Sequence, residues 1–547
     1  MRESETLKLT TKTYAYMGVT LVTAAGFGLF WWTHNPARVS TPLTQTSGTN
    51  GALKPVSTLV AHPAPDTPVV RYTLVAQAKT LHLGQGKTVQ AMTFNGSAPG
   101  PTLTVQQGNV VEVTVKNKLS VPITVHWHGI DVPGAEDGVP GLTQKPISPG
   151  ETFVYRFIAN DAGTYWYHSH VNSVQEIGAG LFGGIVVKPN QPANPLPTRD
   201  YTVLLHEWST SSSEQENGMS GMSGMSGMNG MNMGNMNMSK PSLRTTGFQV
   251  TRMDREALSE MTSAYDAFTV NQTTNATSLF KANPGDVVRL RLVNAGNMTH
   301  LMTLVDTSFK VVALDGHDLS HPTWIQNQLL PIGAAQRYDV EFKMPASGQV
   351  QLVSADPSAT ERMELQATIG QSSHSSPMDT AMNLQNEPWF DFTNYGSPNP
   401  DKNSTFTLGQ HYDKTFAMNL GVGMNQSGMV YTINGKAFPN TSPFVVQNGD
   451  TVKVHIENDT NYIHPMHLHG TSFQVLSRDG VPLKGSPVYL DTVEVLPGES
   501  YDIAFKATNP GLWMFHCHDL HHAAAGMDTL LQYSGITDPY NVKDMSE

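Results

Sequence analysis

Residues 93–117 read TFNGSAPGPTLTVQQGNVVEVTVKN, and residues 432–458 read TINGKAFPNTSPFVVQNGDTVKVHIEN. Each has a short strand, an Asn-Gly turn, a Pro-containing loop, a Gly turn and an alternating strand. Val111, Val113 and Val115 alternate with polar residues, as do Val452, Val454 and Ile456. Period two with Gly and Asn punctuation predicts half-buried β-strands. A weaker third copy, FTVNQTTNATSLFKANPGDVVRLRLVN, occupies 268–294. Three copies of one unit predict an all-β chain of three antiparallel β-sandwiches, placed at 69–190, 200–370 and 385–540.

Composition agrees. The 547 residues exceed what one core organises, and Gly (47) and Pro (35) are plentiful while charged residues make up 14%. The formal charge is −12 with no basic cluster to offset it, which excludes nucleic acid as a partner class. One cysteine, Cys517, is too few for a disulfide framework, so the thiol is either cytosolic or has a chemical task.

Tyr14–Trp32 is an uncharged, mostly apolar run of 19 residues preceded by Arg2, Lys8 and Lys12. A helix of that length spans a bilayer's hydrocarbon core of about 30 Å, and the basic flank leaves the N-terminus inside. Residues 1–33 are therefore expected as an anchor with the remainder outside the cytoplasm. The alternative is a signal peptide whose removal secretes the chain. Residues 34–68, rich in Thr, Ser, Pro and Ala, are expected as a flexible linker.

Within the second sandwich, residues 217–240 break the pattern. Met219, Met222, Met225, Met228, Met231, Met233, Met236 and Met238 are separated only by Gly, Ser and Asn. Such a stretch builds neither core nor helix and is expected as a mobile loop. Thioethers are soft ligands that select Cu(I), so the loop is a candidate for cuprous-ion capture, against slipped low-complexity filler.

Four His-x-His pairs stand out: His126/His128, His168/His170, His467/His469 and His516/His518. On a strand, residues i and i+2 share a face, so each pair presents two imidazoles together. One pair carries little weight. Four pairs, two in the first sandwich and two in the last, predict a metal cluster where those domains meet, because eight imidazoles buried without a metal would be costly to desolvate. The last pair also brackets Cys517, followed by His522 and Met527, with His464 upstream. Two His, a thiolate and a more distant Met form the ligand set of an electron-transfer copper, whereas zinc gains nothing from a thioether. Cys517 faces away from His516 and His518, so one strand joins two metal sites. His521 is the neighbouring decoy.

HWHG (126–129), YHSH (167–170), HPMHLHG (464–470) and HCHDLHHAAAGM (516–527) resemble the four copper-binding signatures of multicopper oxidases, over about residues 75–535. The resemblance implies cupredoxin-like Greek-key domains and four coppers per chain. It implies type 1 copper on His464, Cys517 and His522 with Met527 axial, and type 2 copper on His126 and His467. The type 3 pair then falls to His128, His168, His170, His469, His516 and His518. Asp137 matches the family's cluster-side proton donor, although Asp-Gly is also a turn signal. His521 stands where many bacterial relatives have Glu, and Asp519 is the substitute nearest in sequence. The middle domain, with Thr299-His300-Leu301-Met302, is expected to bind no copper. The expected activity is oxidation of Cu(I) or phenols coupled to reduction of oxygen to water, in copper tolerance, by a monomer. The alternatives are a laccase or Mn(II) oxidase and, from another class, a copper store.

Overall fold

The computed structural model describes residues 53–540, except 192–195, 211–240, 245–246, 262–264, 275, 356–364, 371–383, 385, 399–405 and 427. The apolar run Tyr14–Trp32, the first part of the linker and Met219–Met238 lie outside the described residues. Among those described, no helix is long and apolar enough to cross a membrane.

The chain is mostly strand, arranged as three successive pairs of sheets. Residues 69–188 form two four-stranded sheets, with Val69–Gly84 parallel to Val110–Asn117 in one and Gly163–His168 beside His126–His128 in the other. Residues 199–370 form sheets of six and five strands, and residues 414–533 sheets of seven and five. Inward residues of the first pair, among them Leu74, Val113, Trp127 and Ile185, share one apolar core. The cores of the second and third pairs merge into a single cluster. Fully burying a Val or Leu side chain contributes about 1.5–3 kcal/mol, so the alternation seen in the repeats is the main force holding each sandwich.

Two asparagines in each repeat explain why the copies fold alike. Asn95 and Asn434 adopt left-handed conformations (φ 55° and 53°), as does Asn271 in the weak copy (φ 55°). Their side chains bind the next strand: Asn95 accepts from Val75 N–H at 2.6 Å, Asn434 from Asn419 N–H at 2.9 Å, and Asn271 from Leu204 N–H at 2.9 Å. The last residue of each repeat, Asn117, Asn294 or Asn458, is buried. Its amide donates to the carbonyl four residues on and to a second strand, at Ile147, Ile332 or Val495. That clasp shapes the loop leading to His126, His300 or His464.

One expectation needs revision. The linker does not stay free as far as residue 68. Lys54–Pro55 pairs in parallel with Ile536–Thr537, and Val56 is fully buried, so apolar contact and backbone pairing hold this part down. The start of the third expected domain contacts both neighbours: Trp389 bridges to Leu329, and the Tyr395 hydroxyl donates to Thr323 O at 2.6 Å and accepts from Val311 N–H, while the carbonyls of Thr393 and Tyr395 accept from Lys484 N–H and Ser486 N–H of the last sandwich. Residues 388–397 thus join the middle and last sandwiches before the strand Lys414–Asn425 opens the last one.

Candidate metal centre

Strand register brings the His-x-His pairs together. His126 lies opposite His168 across one antiparallel pair, and His467 opposite His516 across another. The first and last sandwiches then meet with these faces inward. The His128 and His467 rings stack with centroids 3.7 Å apart, and His126 and His469 stack at 3.9 Å. His128, His168 and His518 lie within 5.1–5.7 Å of one another. All eight rings are at most 2% exposed. Ligand atoms of His126, His467 and His469, of His126, His128 and His168, and of His170, His469 and His516 fall within 4.8 Å of each other.

The hydrogen bonds decide which ring nitrogens face inward. Nδ1 of His126, His168, His467 and His516 donates to the carbonyls of Asp137 (2.8 Å), Ser169 (2.9 Å), Asp491 (2.9 Å) and Cys517 (3.1 Å). His128 is turned the other way, its Nε2 on Asp491 Oδ1 at 3.1 Å. That leaves His126 Nε2, His128 Nδ1, His168 Nε2 and His467 Nε2 buried without a hydrogen-bond partner. His469 Nδ1 sits 3.0 Å from the Asp137 carboxylate, while its Nε2 faces His516 Nε2 at 3.1 Å. With both Nδ1 atoms acting as donors, two lone pairs point at each other, an arrangement that a bound cation resolves. Burial pushes His467 down to about 4 and holds His128, His168, His469 and His518 well below the usual imidazole range. These are neutral ligands at neutral pH, and the donor set fits copper.

Two carboxylates support the pocket. Asp137 is fully buried, its Oδ1 3.2 Å from His126 Nδ1 and its Oδ2 on His469, so it links the two sandwiches. Gly138 makes that approach possible: at φ 82° it lies so close to the first sandwich that a Cβ would be 2.0 Å from Val125 O. Asp-Gly is therefore both a tight turn and the carrier of the acid. Asp491 went unnoticed in the sequence. It holds His128 by its carboxylate and His467 by its carbonyl, and it pairs with Arg337 Nη1 at 2.7 Å. Burial alone would raise its carboxyl, but the Arg337 guanidinium holds it well below the usual range. Nothing local marks Asp491 in the sequence, since its partners lie 363 and 154 residues away.

The second pocket is built on the other face of the strand Leu512–Cys517. Cys517 Sγ is 3.7 Å from His464 Nδ1 and 3.8 Å from His522 Nδ1, and all three residues are buried. The far nitrogen of His464 binds the Thr460 hydroxyl at 2.7 Å, and that of His522 lies 3.5 Å from Asp519. Burial pushes His522 down to about 3 and His464 well below the ordinary value. Met527 is fully buried, and its carbonyl accepts from Cys517 N–H at 3.0 Å. A thiol, two imidazoles and the buried Met527, tied to Cys517 through the backbone, make a donor set that matches a one-electron copper site.

His521 is exposed and outside both pockets. Asp519 accepts from His521 N–H and His522 N–H as the N-cap of the helix Leu520–Ala524, beside the Cys517 pocket and not the eight-histidine one. In the middle sandwich His300 Nε2 lies 3.3 Å from buried Glu207, which also accepts from Met298 N–H. Among the described residues, no group of His, Cys, Asp and Glu close enough to share an ion includes a middle-sandwich residue.

Multicopper oxidase family models match residues 75–192, 199–372 and 397–534. The chain is 30% identical over 484 residues to multicopper oxidase MmcO of Mycobacterium tuberculosis, covering 85% of this chain and 87% of that protein. It is 25% identical over 534 residues to a copper resistance protein A homolog of Pseudomonas syringae pv. tomato, covering 81% and 89%. Among solved structures, a multi-copper oxidase from Pseudomonas thermotolerans superposes with a TM-score of 0.61 at 26% identity, over 86% of this chain and 100% of that one.

Proposed function

Since the chain belongs to the multicopper oxidase family, we propose that it oxidises Cu(I) outside the cytoplasm, in copper tolerance, and passes the electrons to oxygen. It is an oxidoreductase with oxygen as acceptor and copper as cofactor, and its three domains are cupredoxin-like. One observation carries the electron route: Cys517 faces His464 and His522, while its neighbours His516 and His518 face the eight-histidine pocket. When bound, copper supplies one-electron acceptance at the Cys517 pocket and four-electron reduction of oxygen at the eight-histidine pocket.

We assign type 1 copper to His464, Cys517, His522 and Met527, and type 2 copper to His126 and His467. His128, His168, His170, His469, His516 and His518 take the type 3 pair. The chain's own residues do the rest. The carbonyls of Asp137, Ser169 and Asp491 orient rings by holding Nδ1–H, and Thr460 orients His464. Asp137, against two of the eight rings, is the acid assigned to proton delivery. Asp519 caps the helix Leu520–Ala524 and faces the far nitrogen of His522, on the side of the Cys517 pocket.

Cu(I) is favoured as reductant by eight thioethers in Met219–Met238 and by the copper resistance relative. Oxygen uptake with Cu(I), Mn(II) and a phenol on one copper-loaded preparation tests this, with Cu(I) expected to show the highest kcat/KM. Deleting residues 217–238 should lower Cu(I) turnover far more than phenol turnover. A preparation that consumes oxygen with phenol and not with Cu(I) would make the laccase reading the right one. The N-terminal run is read as a membrane anchor, which cell fractionation tests: recovery in the soluble fraction after osmotic release would count against it.

A further inference from the structure

Asp137 reaches the last sandwich on a turn that leaves the core of its own domain. Val139 and Leu142, which follow it, belong to the core shared by the second and third sandwiches and not to that of the first. Before the turn, Asn509 Nδ2 of the last sandwich donates to Val132 O at 2.9 Å. A segment that precedes the first sandwich in the chain packs here too. Val56, fully buried, lies in the same core cluster as Val139 and Leu142, and partly buried Leu59 packs against that cluster.

This segment grips the turn at two points. Ala135 N–H, two residues before Asp137, donates to Leu59 O at 3.0 Å. A Cβ on Gly134 would come within 2.9 Å of Val56 Cγ2 and 3.3 Å of Leu59 Cδ1, so only glycine lets the two backbones approach this closely. The other end of the segment is fixed to the last sandwich. Lys54–Pro55 pairs in parallel with Ile536–Thr537, and Lys54 N–H donates to Gly535 O at 2.9 Å. A two-residue ladder is marginal alone, so burial of Val56 supplies the rest of the hold.

We propose that residues 54–59 are a strap that positions Asp137, with Val56 and Leu59 holding the turn so that its carboxyl spans both sandwiches. The proposal rests on the reading of Asp137 as the proton-delivering acid and gives that reading a second structural partner. One carboxyl oxygen lies 3.2 Å from His126 Nδ1 and the other 3.0 Å from His469 Nδ1, so the reach has little slack. A displacement of about 1 Å at a catalytic group costs up to about a hundredfold in rate. Val56 and Leu59 are positioning residues: they carry no metal-binding group and act only through the turn.

A size exchange across the Gly134–Val56 contact tests the strap in full-length, copper-loaded enzyme. Gly134→Ala should push strap and turn apart. It is expected to quicken amide hydrogen exchange over residues 133–138 and to lower kcat about tenfold for Cu(I) and a phenol alike, with copper content and visible absorption kept. Val56→Ala removes the facing methyl groups, so Gly134→Ala/Val56→Ala should recover most of both. Val56→Ala/Leu59→Ala, which adds no atom, should loosen the turn by the opposite route and give the same exchange pattern. In an Asp137→Asn background, Gly134→Ala should lower kcat no further, because the group it displaces is gone. Unchanged exchange over 133–138, or an equal fall in kcat in the Asp137→Asn background, would overturn the proposal. If Asp137→Asn alone keeps the wild-type kcat while exchange still quickens in Gly134→Ala, the proton-delivery reading fails and the strap stands as the clamp on the turn.

Discussion

The strands His300–Leu304 in the middle sandwich and His464–Leu468 in the last occupy matching places. Each follows a buried asparagine by six residues, Asn294 or Asn458, and lies between two antiparallel neighbours. In the last sandwich the neighbouring strand sets His516 opposite His467 and Cys517 opposite Met466. In the middle one it sets Val353 opposite Thr303 and Ser354 opposite Met302. His300 turns instead to Glu207, and adjacent side chains join domains: Thr299 binds Glu494, and Asn297 accepts from Leu520 N–H at 2.7 Å. One backbone frame therefore serves as a metal socket or as a brace, and the side chains on the next strand decide which.

The largest expected effect separates socket from brace. Cys517→Ser should abolish both the intense visible absorption and oxygen consumption, while His300→Gln should keep four coppers per chain by metal analysis. Copper loss in His300→Gln would end the comparison. Asp491→Asn comes next, because it loosens His128 and His467 and leaves Arg337 buried beside a neutral group. Copper affinity or activity should fall roughly 10–100-fold. Unfolding free energy should drop by about 3–5 kcal/mol. Glu207→Gln, its counterpart in the brace, should cost about 1–3 kcal/mol in a thermal melt and no copper.

The smallest effect concerns pH. Burial raises Glu494 to about 7. The fold favours the neutral acid, so its contribution is complete below the unfolded value of about 4.3 and is lost as pH rises through 7. Glu494→Gln keeps a partner for Thr299 and removes the titration. The difference in Tm between variant and wild type should shift in the variant's favour from pH 4 to pH 8; a constant difference would show that Glu494 does not titrate in that window.

Much of the site was legible because it is local. His-x-His and His-Cys-His place ligands on defined faces of one strand, and His521 could be set aside from His522 by spacing. The Asp-Gly at 137–138 admitted two readings, a turn and a cluster-side acid, and the turn is what brings the carboxylate to His469. Asp491 and Glu207 were silent because their roles come from partners on distant strands, and Thr460, only four residues before His464, because its hydroxyl reaches the ring only through the turn between them.

Ligand type and local facing were settled by the sequence alone, because alternation along a strand follows from backbone geometry and softness belongs to the atoms themselves. The tertiary structure decided what no spacing encodes: that residues from 126 to 518 converge in one buried pocket, which ring nitrogens face inward, and which carboxylates hold them. Those distances span hundreds of residues, and only the packing of the sandwiches against one another brings them down to hydrogen-bond length.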